Sequence, residues 1–244
     1  ASSVSIILVR PQMGENIGAA ARAMLNFGFA DLRIVSPRDG WPNARAVDTA
    51  SGAFDQMPPP RVFDDLPGAL ADLHHVYATT ARPRDLVKPV LTPEGVLEDS
   101  TSRLENSQRI GIVFGPERTG LENDDLALCN TLVTIPANPD FSSLNLGQCV
   151  LLMVSTLGRL AFDQSATPLD HGDSGAVTHD KLEEFLIRLE GELDSAGFFK
   201  AQGLKPTMIR NIRAIFTRAD LSDQEVRTLH GIVSALIGKK KAAD

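Results

Sequence analysis

The chain has 244 residues, 43% of them hydrophobic, and a formal net charge of −7 at pH 7. This length predicts one α/β domain of about 160 residues with a smaller appendage. No long apolar run is present, so no membrane span is expected. The net negative charge counts against a nucleic-acid-binding protein, because such proteins are usually basic overall. A local basic face would nevertheless suffice to bind phosphate.

The spacing of the cysteines indicates whether a metal site is expected, and the start of the chain indicates the expected cellular compartment. Cys129 and Cys149 lack a metal-binding spacing such as Cys-x-x-Cys, so we expect reduced core thiols and no metal. No signal-peptide pattern precedes the first apolar run. We therefore expect a cytoplasmic protein.

Short apolar runs alternate with helix-like segments over residues 1–162, in the order strand, helix, strand. The strands are predicted at 4–9, 32–35, 61–63, 75–80, 109–114 and 132–135. Helices are predicted at 16–27, 44–50, 66–73, 92–104, 122–129 and from 146 onwards. This alternation predicts a mostly parallel sheet with helices on both faces.

Residues 163–178 are rich in Asp, Ser, Gly and Pro, which predicts a linker. Beyond it, residues 179–244 form a C-terminal extension with three amphipathic helices. Three helices of this length make a marginal bundle by themselves, so we expect them to pack on the main domain or on a partner subunit.

Three polar motifs follow predicted strands. The first contains Asn16 and Arg22, which lie roughly 9 Å apart along a helix. The second is the loop 115–121, with sequence Gly-Pro-Glu-Arg-Thr-Gly-Leu, and the third is Ser-Leu-Asn at 143–145, just before a helix. Ligands of parallel sheets bind beyond the carboxyl ends of strands, and helix N-termini offer unpaired N–H groups. Taken alone, the third motif is equally well read as a proline-rich turn with a serine cap.

Two common nucleotide sites are disfavoured by the same loops. Residues 115–120 have the glycine spacing of a P-loop but lack the Lys-Ser/Thr that holds phosphates. No complete Gly-x-Gly-x-x-Gly follows the first strand, so a dinucleotide site is poorly supported as well.

Together the three motifs resemble those of the SpoU branch of the SPOUT RNA methyltransferases. In that family the first motif carries an Asn and, six positions later, an Arg, as in Asn16 and Arg22. The second is Gly-x-Glu-x-x-Gly-Leu, as in 115–121, and the third is Ser-Leu-Asn at a helix start, as in 143–145. Segments 210–219 and 225–232 further resemble one subgroup, the bacterial TrmJ-type tRNA 2′-O-methyltransferases.

This resemblance implies a methyltransferase domain over 1–162, with a parallel sheet threaded into a trefoil knot, and a helical C-terminal extension over 179–244. It implies S-adenosylmethionine as cofactor, a homodimer, and methylation of a ribose 2′-hydroxyl in tRNA, with position 32 of the anticodon loop as target. No metal is implied.

The resemblance also implies roles for individual residues. Because a guanidinium stays charged, Arg22 is expected to be catalytic either as a perturbed base or as an electrostatic stabiliser. The expected catalytic residues are Asn16, Arg22, Glu117, Ser143 and Asn145. The expected cofactor pocket comprises Thr79, Thr80, Ala81, Gly115, Gly120, Ile135, Ser142, Ser143 and Leu144.

RNA binding is expected at Arg22, at the loop arginines Arg82 and Arg84, and at a basic stretch spanning residues 200–218. The stretch holds no acid, and from it we take Lys205, Arg210 and Arg213 as phosphate contacts. If the C-terminal helices only dimerise, Arg82, Arg84 and Lys88 are the remaining candidates.

Three alternatives remain open at the level of sequence. One is a cofactor-binding RNA-recognition protein without catalysis, against which the intact Arg22, Glu117 and Asn145 argue. A second is a 2′-O-methyltransferase that acts on rRNA. The third is an oxidoreductase on an ordinary doubly wound fold.

Overall fold

The computed structural model of the chain describes residues 3–81, 87–158, 174–199 and 202–241. Within these ranges, seven strands form one sheet: β1 (Val4–Val9), β2 (Asp31–Val35), β3 (Arg61–Phe63), β4 (His75–Thr79), β5 (Val90–Leu91), β6 (Ile110–Phe114) and β7 (Thr131–Val133). Their order is β3-β2-β1-β6-β4-β7-β5, and every pairing is parallel. The predicted parallel α/β sheet is therefore confirmed.

Helices cover both faces of this sheet. They are α1 (Gly14–Asn26), α2 (Ala44–Ala50), α3 (Ala53–Gln56), α4 (Leu66–Leu70), α5 (Pro93–Glu105), α6 (Asn123–Ala127) and α7 (Leu146–Leu157). Because side chains alternate along a strand, Ile6 and Leu8 of β1 enter a core shared with α1, α5 and α7. Ile7 and Val9 enter a second core, on the side of α4 and α6.

Small residues let α1 lie close to its neighbours. A Cβ atom added to Gly147 of α7 would lie 2.8 Å from the Cβ of Ala19, and one added to Gly18 would lie 2.2 Å from the carbonyl oxygen of Ala46. Such distances are shorter than carbon atoms tolerate, so glycine is required at both places. The close packing places the start of α7 directly beside α1.

The C-terminal extension consists of α8 (His179–Ser195), α9 (Lys205–Thr217) and α10 (Asp223–Lys241). These helices share an apolar core of their own, built on Leu182, Phe185 and Val226. Most of the predicted linker, residues 163–173, lies outside the described residues. None of the described helices has the length and hydropathy needed to cross a membrane.

A buried polar seam joins this extension to the main domain. The Nδ2 atom of Asn130 donates to the carbonyl oxygen of Thr217 at 2.5 Å, and its Oδ1 accepts from the Val76 N–H at 2.8 Å. Arg103 donates to Asp220 at 2.7 Å, and His75 contacts both Asp220 and Thr131. His75 and Thr131 begin β4 and β7, so the seam lies at the amino edge of the sheet.

Several boundaries differ from those predicted. The predicted helix at 122–129 is shorter, the strand at 132–135 begins and ends earlier, and the short strand β5 was not predicted. A 3₁₀ helix at Pro139–Phe141 also falls within the predicted proline-rich loop.

Candidate active site at the carboxyl edge of the sheet

A cavity of about 200 Å³ opens where β4, β6 and β7 end. Its wall includes the last residue of each of these strands, Thr79, Phe114 and Val133. All nine residues predicted to form a cofactor pocket line it: Thr79, Thr80, Ala81, Gly115, Gly120, Ile135, Ser142, Ser143 and Leu144. The structure thus brings together residues from four separate segments, while their binding of a cofactor stays a prediction.

A chain of side-chain hydrogen bonds connects the three motifs beside this cavity. Asn16, which is 6% exposed, donates from Nδ2 to Oε1 of Glu117 at 2.6 Å. The Oδ1 atom of the same Asn16 accepts from Nδ2 of Asn145 at 2.8 Å. One residue from each motif therefore takes part in a single connected network.

The loop of the second motif is held in a tight conformation. Gly120 has a φ of +67°, and its N–H donates to the carbonyl oxygen of Pro116 at 2.9 Å. A Cβ atom added to Gly115 would lie 2.3 Å from the backbone nitrogen of Leu121. Both glycines are needed for the loop to close on itself. The Glu117 carboxylate also accepts from the Gln12 N–H, just before α1, at 2.8 Å.

The third motif caps α7. Asn145 accepts from the N–H groups of Gly147 and Gln148, and Gln148 accepts in return from the Asn145 N–H. This reciprocal cap fixes the start of the helix. The residues just before it, Ser142 and Ser143, are exposed and lie against the cavity.

Comparison with known proteins agrees with this geometry. Residues 3–155 match the SpoU rRNA Methylase family. The chain belongs to this family. It is 35% identical over 242 residues to the tRNA (cytidine/uridine-2'-O-)-methyltransferase TrmJ of Salmonella typhimurium, an alignment that covers 98% of both chains.

Solved structures give the same assignment of fold class. The crystal structure of TrmJ from Z. mobilis ZM4 is 46% identical, with a TM-score of 0.84 over 95% of this chain and 98% of that one. The SpoU methyltransferase AviRb from Streptomyces viridochromogenes, solved in complex with AdoMet, shares the fold alone, at 18% identity and a TM-score of 0.52 over 66% of this chain and 58% of that one. The predicted fold class and family are therefore confirmed.

Of the five catalytic residues expected for a SpoU methylase, four lie at the cavity or in the network beside it. Arg22 is the exception, because it is exposed on α1, does not line the cavity, and donates to Oγ of Ser51 at 3.0 Å. Its guanidinium faces solvent and lies outside the network that connects Asn16, Glu117 and Asn145.

The basic stretch at residues 200–218 of this SpoU family member is partly neutralised by acidic residues from other segments. Lys205 pairs with Asp194 at 2.8 Å, and Arg210 pairs with Asp124 at 3.0 Å. Arg213, with a side chain only 14% exposed, pairs with both Glu183 and Glu190 at 2.7 Å. These three side chains have acidic partners from other segments, so the stretch is not the uncompensated basic face that its composition indicates.

The structure bears on only one of the three RNA-binding candidates in the loop before β5. Arg82 and Arg84 lie outside the described residues. The expectation for Lys88 is wrong, because its side chain is buried and its Nζ donates to the carbonyl oxygens of Ala127 and Cys129 and to Oγ1 of Thr217. Burial lowers the pKa of Lys88 to about 8.

Sequence reasoning missed part of the cavity wall. The additional lining residues are Phe114, Pro116, Arg118, Thr119, Leu121, Val133, Leu146 and Cys149. Burial raises the pKa of the Cys149 thiol to about 11, so this cysteine is a neutral wall residue at physiological pH. For the residues within 115–121, the two glycines of the loop were the available signal, because they mark a tight turn at the end of a strand.

Among the described residues of this family member, no group of three or more His, Cys, Asp or Glu side chains is arranged to hold a metal ion.

Proposed function

We propose that the chain transfers a methyl group from S-adenosylmethionine to the 2′-hydroxyl of a ribose in tRNA, with position 32 of the anticodon loop as its target. The observation that carries the proposal is the hydrogen-bonded network of Asn16, Glu117 and Asn145, which holds the three family motifs beside one cavity. The names of the relatives, which specify tRNA and cytidine or uridine 2'-O-methylation, support the substrate.

The cavity fits the proposed cofactor in its chemistry. Val133, Ile135 and Leu146 give it an apolar wall suited to an adenine ring, and the exposed Ser142 adds a hydroxyl for polar atoms. The close approach of Gly115 to Leu121 leaves no room for a side chain at position 115. The bound cofactor supplies an electrophilic methyl group on a sulfonium.

The chain's own residues then have to orient the ribose and manage a proton. The 2′-hydroxyl is a weak nucleophile, so its proton must be drawn away as the bond forms. In this proposal the network of Asn16, Glu117 and Asn145 fixes the loops, Ser143 lies at the cavity, and Arg22 meets the ribose or its phosphate from the solvent side. Arg22 either takes the hydroxyl proton or stabilises the alkoxide while the proton passes to water. The cofactor leaves as S-adenosylhomocysteine. A rigid arrangement of this kind raises the rate because it removes the entropy of alignment.

Assembly as a homodimer in the cytoplasm is part of the same proposal. Met13 before α1 and Leu151 and Leu152 on α7 are large apolar side chains that remain 46%, 41% and 40% exposed. A second copy related by a two-fold axis would cover these side chains. Light scattering at micromolar concentration should give twice the monomer mass, and a monomer would contradict this part of the proposal.

The experiment that tests the reaction is nucleoside mass spectrometry of RNA treated with the purified protein and S-adenosylmethionine. A tRNA transcript with cytidine at position 32 should gain one 2′-O-methylcytidine at that position. Methylation of rRNA in place of tRNA would redirect the proposal, and methylation of neither would leave an RNA-recognition protein without catalysis.

Arg22→Ala tests the assignment of the catalytic arginine. Loss of a base or of a charge near a developing oxyanion typically lowers turnover by about two to four powers of ten. The affinity for S-adenosylhomocysteine, measured by calorimetry, should stay unchanged because Arg22 does not line the cavity. Arg45→Ala, which removes an exposed arginine from neighbouring α2, is the matched control and should retain activity.

A further inference from the structure

Arg118 stands apart from the other arginines that the structure describes. Each of those has a hydrogen-bond or ion-pair partner, for example Asp39 for Arg38, Asp125 for Arg10 and the Val87 carbonyl oxygen for Arg218. The guanidinium of Arg118 contacts no acceptor within the described ranges and is exposed. A cation without an internal partner is available to an external anion.

The two acidic residues nearest to Arg118 in the loop are already engaged. Glu117 accepts from the Gln12 N–H and from Asn16, so its carboxylate is directed towards α1. The side chain of Glu122 accepts a backbone N–H in the capping box at the start of α6. Among the described residues, neither carboxylate forms an ion pair with Arg118.

The backbone that carries Arg118 is fixed on both sides. On one side Glu117 is held by its bonds to α1. On the other, the left-handed Gly120 returns the chain, and its N–H bonds to Pro116. The side chain is thus exposed to solvent on a backbone that is held at both ends.

Arg118 lines the cavity, yet its side chain is exposed, which places it at the entrance rather than in the enclosed part. A guanidinium presents a planar fork of donors that matches the oxygens of a phosphate. An RNA strand whose ribose meets the bound cofactor at the mouth of this cavity brings its flanking phosphates to the rim.

We propose that Arg118 binds a backbone phosphate of the RNA next to the ribose that is methylated. The inference rests on the proposed function and adds to it an RNA contact at the rim of the cavity itself. It differs from the expectation for the basic stretch, where Lys205, Arg210 and Arg213 already have acidic partners.

The test is equilibrium binding of an in vitro transcribed tRNA, followed by fluorescence anisotropy over a range of NaCl concentrations. Arg118→Gln should weaken binding about tenfold at low salt and lower the slope of log affinity against log salt by about one. Arg118→Lys should keep the slope, because the charge remains, and lose part of the affinity, because the planar fork is gone. Arg38→Gln, which removes an exposed arginine already paired with Asp39, is the control.

An unchanged salt slope in Arg118→Gln would overturn the proposal, as would a loss of S-adenosylhomocysteine affinity with tRNA binding intact, since the arginine would then serve the cofactor's carboxylate. The urea midpoint should not move, because Arg118 makes no internal contact. The binding assay involves no catalysis, so it separates the two proposals: an Arg118-dependent slope without methylation refutes the proposed function alone, and methylation with an unchanged slope refutes only the phosphate contact.

Discussion

Removal of the Glu117 carboxylate should disconnect the second motif from the other two. Glu117 accepts from the Gln12 N–H at 2.8 Å, from Asn16 Nδ2 at 2.6 Å and from the Met13 N–H at 3.3 Å. In Glu117→Ala the nearly buried Asn16 keeps its bond from Asn145 but loses the acceptor for its own amide. A buried donor left without a partner costs about 1–3 kcal/mol.

We expect Glu117→Ala to lower the free energy of unfolding by about 2 kcal/mol, because two short bonds are lost while water partly replaces the half-buried carboxylate. Glu117→Gln should cost about half as much, since its amide oxygen still accepts one bond but its NH₂ group faces a donor. In both variants the affinity for S-adenosylhomocysteine should fall, because the loop and α7 are no longer fixed relative to each other.

The assay is urea unfolding, followed through the fluorescence of Trp41, the single tryptophan of the chain, together with calorimetric titration of S-adenosylhomocysteine. Glu98→Ala, which removes an exposed carboxylate from α5, is the control. If Glu117→Ala matched this control in both urea midpoint and ligand affinity, the hydrogen bonds of Glu117 would not be what holds the site together.

Three further perturbations follow from the packing. Burial lowers the pKa of His179 to about 3, so the neutral ring contributes stability that is present above the ordinary histidine pKa and lost as the pH falls below it. Urea unfolding at pH 7 and pH 5 should show a loss of up to about 1.4 kcal/mol in the free energy of unfolding per pH unit. An equal loss in His179→Gln would contradict this explanation. Arg213→Gln leaves Glu183 and Glu190 without a counter-charge, so it should lower the free energy of unfolding by about 2–3 kcal/mol. The slope of log tRNA affinity against log salt should stay unchanged. A flatter slope would show that this arginine does contact a phosphate. Gly147→Ala should lower the melting temperature because its Cβ would meet Ala19, whereas Gly191→Ala on α8, where a Cβ meets nothing within 4 Å, should raise it; the same sign for both would refute the packing argument.

The periodicity of apolar residues was sufficient to predict most of the sheet and its helices. It could not predict β5 or α3, because two and four residues are too few to show a period. The position of the cavity was predictable as well, because the three motifs follow strands whose carboxyl ends meet at one edge of a parallel sheet.

The partners of charged side chains were beyond sequence reasoning. Arg213 and Glu183 are 30 residues apart, and Arg210 and Asp124 are 86 residues apart. Nothing in the local composition of the basic stretch shows these pairs, because they exist only once α8, α9 and α6 have packed. The bond between Asn16 and Glu117 was likewise invisible, although the sequence had singled out both residues.

The long separations within the motif network have a consequence for the order of folding. Asn16 bonds to Glu117 across 101 residues of chain and to Asn145 across 129. During synthesis, the first motif leaves the ribosome long before either partner exists, and loops of this size close slowly. The cavity wall is therefore completed late, after the strands that carry it have paired. Regain of ligand binding during refolding should accordingly lag behind the regain of helical circular dichroism.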